Sequence, residues 1–233
     1  LVRGLQQRLQ GQPPEAMAEV EVFVNTARMV RRLQAMFDAG AASFLPRLRL
    51  VTDLGIEAAA VDLPQAVPGL RRRLEVATLV GRLLDSAPDL APRAALFDLA
   101  DSLATLMEEM QGEGVTPDDL SRLDLSQHSR HWDRSLAFLG IVSRYFGASG
   151  QDAPDAEGLR RRTVTMLTER WALSPPQHPI LVAGSTGSRG TTALFMQAVA
   201  RLPQGAVVLP GYDFDMPDAA WTALDDALAG EDH

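Results

Sequence analysis

The chain has 233 residues, is 46% hydrophobic and carries a formal net charge of −8, enough for one large domain or a domain with a sizeable insertion. It contains no cysteine, which excludes disulfides, zinc–thiolate sites, iron–sulfur ligation and cysteine nucleophiles within it. All 22 basic residues are arginine, so the lysine that a P-loop aims at the β and γ phosphates is missing.

Leu1 to Gln10 reads as the end of an amphipathic helix with Leu1, Leu5 and Leu9 on one face, and "GQPPEAM" breaks it. "VEVFVNT", Val20 to Thr26, reads as a buried strand. Asn25 and Thr26 cap a helix, "ARMVRRLQAMFDAG", that Gly40 can end. "RLRLVTDLG", Arg47 to Gly55, reads as a second strand. Helical periodicity then dominates over Leu70–Ser86, Pro92–Gln111, Ser129–Phe146 and Ala156–Trp171, with Pro- and Gly-rich breaks between. Strands resume with "ILVAG" from Ile180. A helix over Thr191–Leu202, the strand "GAVVLPG" (Gly205–Gly211) and a last helix near Asp218–Leu228 follow.

Buried strands linked by helices predict a three-layer α/β fold with a parallel sheet. Residues 69–174 form a helical insertion between the two parts of one α/β domain, 1–68 and 175–233. No run approaches the about 18 apolar residues of a membrane span and no charged-then-apolar leader opens the chain, so a cytoplasmic protein is expected. The chain starts in mid-helix, which raises the expectation of a fragment of a longer polypeptide.

Two places suit anion binding. In "GSTGSRGTT", glycines at 184, 187 and 190 link a strand to a helix. Neither the P-loop nor the dinucleotide spacing is met. What survives is a single-anion site built from Gly184, Ser185, Thr186, Gly187, Ser188 and Thr191, set against a tight turn that needs positive φ. In "NTARMVRR", polar groups at a strand end meet a helix start, and Arg28, Arg31 and Arg32 add charge on neighbouring turns. The Arg71–Arg73 and Arg160–Arg162 triplets fan around their helices and read as solvated faces, with tracking of a nucleic-acid backbone as the alternative. His128 and His131 stand at helical spacing without a third ligand, so no metal site is expected. The adjacent carboxylates Glu108–Glu109, Asp118–Asp119 and Asp225–Asp226 read as exposed or capping residues, and no nucleophile has a base beside it.

"VEVFVNTARMVRRLQAMF" resembles the strand and basic helix that carry motif Ia in superfamily-one helicases of the UvrD type. "PILVAGSTGSRGTTALFMQAVARLPQGAVVLPGYDFD" resembles their Walker B strand, helix and motif III strand. With "LFDLADSLATLMEEMQGEGV" and "HSRHWDRSLAFLGIV", nearly the whole chain resembles the N-terminal region of the AddB family, partners of the AddA motor in AddAB helicase–nucleases, which process double-strand DNA breaks. The resemblance implies a RecA-like, P-loop-type sheet lacking its first strand, with the helical block as its insertion. Where an active helicase has Asp-Glu, this chain has Ala183 and Gly184, which neither bind Mg²⁺ nor act as a base. The resemblance therefore implies an inactivated module that scans single-stranded DNA and scaffolds an AddA-type motor. Asn25, Thr26, Arg28 and Arg31 would contact the DNA backbone and Tyr212 would stack a base. No cofactor is expected in this segment. In the family, ATP and Mg belong to the partner motor and an iron–sulfur cluster to the C-terminal domain. The alternatives are a nucleotide- or anion-binding α/β enzyme that uses residues 184–191 and a pure protein-interaction domain.

Overall fold

The computed structural model describes residues 1–54, 63–116, 154–188, 190–211 and 215–230, and the single positions 119 and 140. Four parallel strands form one sheet in the order β2-β1-β3-β4: β1 is Glu21–Val24, β2 Arg47–Leu50, β3 Ile180–Ala183 and β4 Gly205–Val208. The short helices α1 (Val2–Arg8) and α2 (Ala16–Glu19) precede β1, and α3 (Ala27–Asp38) joins β1 to β2. The helical stretch contains α4 (Gly69–Ser86), a 3-10 turn over Arg93–Ala95, α5 (Leu96–Glu113) and α6 (Ala156–Leu173). Helix α7 (Gly190–Ala200) joins β3 to β4, and α8 (Asp218–Gly230) follows. The α/β class with a parallel sheet and flanking helices is therefore as expected. The expected helix over Ser129–Phe146 lies outside the described residues, Gly140 apart.

Handedness explains the layering. Strand β2 lies on one side of the central β1–β3 pair and β4 on the other. Crossovers between parallel strands are right-handed, so connections that travel in opposite directions must use opposite faces. They do. Leu33 and Phe37 of α3 pack on Val22, Val24, Leu181 and Ala183 together with Val2 and Leu5 of α1. On the other face, Phe195 and Val199 of α7 and Val164 and Leu167 of α6 pack on Phe23, Ile180 and Val182. Alternate residues of β1 and β3 thus feed two cores, which is why Val22–Val24 and Ile180–Ala183 read as continuous apolar runs.

The helical stretch is layered outward from the second face. Helix α6 packs on the sheet, α5 packs on α6 and α7, and α4 packs on α5. Val76, Val80 and Leu84 of α4 meet Ala100, Leu103 and Met107 of α5 in a separate core.

The arginine triplets are not simply solvated faces, as their sequence suggested. Arg71 and Arg73 are exposed and ion-paired to Glu75 and Asp101. Arg72, however, is buried beside Glu75, because the middle residue of a triplet must point to a helix's inner face when its neighbours straddle the outer one. Asp155 is also buried, and it caps α6 by accepting a hydrogen bond from Gly158 N at 2.7 Å. Burial pushes its carboxyl above the ordinary value of 3.8, with Glu108 adding to the rise and the Gly158 hydrogen bond and Arg72 opposing it. A raised folded-state pKa means that the stabilising contribution is complete below the unfolded value and is lost as pH rises through the folded one. Asp155→Asn keeps an oxygen for the cap and removes the charge. Urea unfolding between about pH 4 and about pH 7 should show the stability difference, variant minus wild type, increasing with pH. A constant difference would contradict the buried, ionising Asp155.

No helix among the described residues is long and apolar enough to cross a membrane.

Candidate functional site at the switch point of the sheet

In an open parallel sheet, ligands bind beyond the carboxyl ends of the strands, where the winding direction reverses. Here that point lies between β1 and β3, paired in register with Val24 opposite Ala183. The two loops singled out in the sequence, Asn25–Thr26 and Gly184–Ser188, leave the sheet there side by side. A Cβ on Gly184 would lie 3.5 Å from Asn25 Oδ1. Candidate residues more than half a chain apart in sequence thus form one crevice.

On the β1 side, Thr26 is the N-cap of α3, its Oγ1 accepting from Met29 N at 3.2 Å. One lone pair of its hydroxyl therefore serves the helix, and its O–H can still donate. Arg28, Arg31 and Arg32 lie on the first two turns of α3 and are exposed. Among the described residues none of the three makes an ion pair. Next to them, a cavity of about 250 Å³ is lined by Met29, Leu33, Met36, Ala183 and Val208, with Arg32 its one charged residue among those described.

On the β3 side, Ala183 is buried and Gly184 follows with φ of 77°. Gly187 has φ of 71°. Both adopt the left-handed region that glycine enters without steric cost, so the tight-turn reading of this loop holds at these two positions. Ser185 Oγ accepts from Gly187 N at 3.3 Å, which occupies one donor inside the loop. Thr186 and Ser188 are exposed.

The first N–H of α7 is already taken. Gly190 N donates to Glu113 Oε1 at 2.9 Å, and Thr191 Oγ1 donates to the Gly112 carbonyl at 3.0 Å. Glu113 comes from the end of α5, and Arg161 of α6 donates to the same Gly112 oxygen at 2.9 Å. The approach is close: a Cβ on Gly190 would run into Glu113 Oε2 and lie 2.9 Å from the Gly112 oxygen. Glu113, Gly112 and Arg161 were missed from sequence.

Tyr212, His128 and His131 lie outside the described residues. Asp119 is a capping residue, as its sequence suggested: its Oδ2 accepts from Thr116 N at 2.8 Å and Thr116 Oγ1 accepts from Asp119 N at 3.3 Å.

No protein-family model matches this chain, and no curated protein matches it.

Proposed function

We propose that the chain is a catalytically silent, helicase-like module of an AddAB-type DNA-break repair helicase–nuclease. In this reading the sheet is RecA-like, residues 69–174 are its helical insertion, and the module binds single-stranded DNA and scaffolds an AddA-type motor subunit. The observation that carries the reading is the switch-point crevice itself. Three exposed arginines stand on the first two turns of α3, beside a strand end that offers Ala183 and Gly184 where hydrolysis would need carboxylates. A helix start with basic side chains suits a phosphodiester backbone. The direct pairing of β1 and β3 also suits the resemblance, since it brings the motif Ia-like and Walker B-like segments together. The carboxylate seated at the start of α7 favours this reading over a nucleotide-binding enzyme that uses residues 184–191.

The test is fluorescence anisotropy of the full chain with a single-stranded oligonucleotide across a salt series. Wild type should bind with a negative dependence of log affinity on log salt. Arg28→Ala with Arg31→Ala should weaken binding and flatten that slope by about 0.7 for each phosphate that is no longer neutralised. No binding by wild type, or equal affinity and slope in the double variant, would remove α3 from a DNA interface. Purification of the native protein with a motor subunit and ATP-dependent degradation of linear duplex DNA would test the assembly.

A further inference from the structure

Glu113 ends α5, where a carboxylate opposes the helix's own dipole. Gly114 then turns the chain away with φ of 75°, and Val115 N closes the turn on the Met110 carbonyl at 2.9 Å. This turn leaves Glu113 facing α7, whose first N–H it accepts. The same carboxylate that is unfavourable on α5 is thus favourable at the start of α7. Thr191 and Arg161 both donate to the Gly112 carbonyl, so α5, α6 and α7 are joined at one point.

The structure assigns to Glu113 the role of a built-in anion. Its carboxylate fills the helix start that a phosphate would otherwise occupy, and the contact locks the helical stretch to the glycine loop of the sheet. The first N–H of α7 is therefore closed to external anions by the chain itself. This assignment stands whether or not the module meets DNA.

The experiment is calorimetric titration of the full chain with inorganic phosphate, at ionic strength held constant with chloride. Wild type, Glu113→Ala and Glu109→Ala are compared. Glu109 is exposed on α5 and controls for the loss of one charge. Wild type and Glu109→Ala should behave alike, and Glu113→Ala should bind phosphate about tenfold or more tightly than either. Equal affinity in wild type and Glu113→Ala, or no gain over Glu109→Ala, overturns the assignment. Should Glu113→Ala not fold, Glu113→Gln keeps an oxygen for Gly190 N–H without the charge. Its Gly190 amide should then exchange with solvent roughly tenfold faster than in wild type, and an unchanged rate overturns the assignment equally.

Discussion

Phe195→Ala should destabilise the chain by about 3–5 kcal/mol, the range for removing a buried aromatic from a core that cannot collapse onto the gap. Phe195 is 0% exposed. Its ring meets Phe23 of β1 edge-on, with centroids 4.9 Å apart and planes at 74°, and it also faces Trp171 of α6 at 6.1 Å. One side chain of α7 therefore touches the central strand and the neighbouring helix together. Phe195→Leu keeps much of the volume and should cost less, on the order of 1–2 kcal/mol. Urea unfolding followed by tryptophan fluorescence reads both variants. A cost below about 1 kcal/mol for alanine would mean that α7 is not seated on the sheet as described.

Gly190→Ala is the second large effect, and its sign carries the information. Gly190 opens α7 and its φ lies outside the left-handed region. In an open helix start, alanine would stabilise by about 0.4–1 kcal/mol through the unfolded chain. Here the added methyl has to displace Glu113 and the Gly112 carbonyl, so destabilisation by about 1–3 kcal/mol is expected. The substitution should also be non-additive with Glu113→Ala, because both disturb one contact. Stabilisation by Gly190→Ala would sink the close approach of α5 to α7.

Most of the architecture was legible because local pattern and global fold agree. Val22, Phe23 and Val24, and the run from Ile180 to Ala183, announce strands buried on both faces, and both are so buried. Boundaries failed where a side chain competes with the backbone. The strand expected over Arg47–Gly55 ends at Leu50, because Asp53 Oδ2 accepts from Leu50 N at 3.3 Å and the chain coils into a 3-10 turn over 51–54. Val51 and Leu54 then share the core at a spacing of three rather than alternating. The helix expected from Pro92 opens as a 3-10 turn without a side-chain cap and becomes α-helical only at Leu96.

The candidate site was legible as two separate loops and illegible as one crevice. Asn25 and Gly184 become neighbours only once β1 and β3 pair, a fact of topology that no local pattern carries. The partner of Gly190 lay further from view. Glu113 sits in an ordinary "MEEMQGEG" helix end, and a contact with a residue 77 positions away leaves no periodicity. Arg72 shows the same limit: three consecutive arginines look alike in sequence, and only packing distinguishes the buried one.

The pairing of β1 with β3 also sets the order in which the protein can be made. Strands β1 and β2, joined by α3, leave the ribosome before the helical stretch, while β3 arrives only after that stretch has been synthesised. At about 5–20 residues per second, that wait is on the order of 8–30 s. Throughout it, one edge of β1 stands open and Phe23 has no α7 to cover it. The two strand pairs are local and quick to form, whereas their union closes a loop of more than half the chain, an entropically costly step that belongs late in folding. The nascent chain therefore passes through a half-sheet whose exposed centre invites foreign strands, and its yield in the cell depends on how well that interval is guarded.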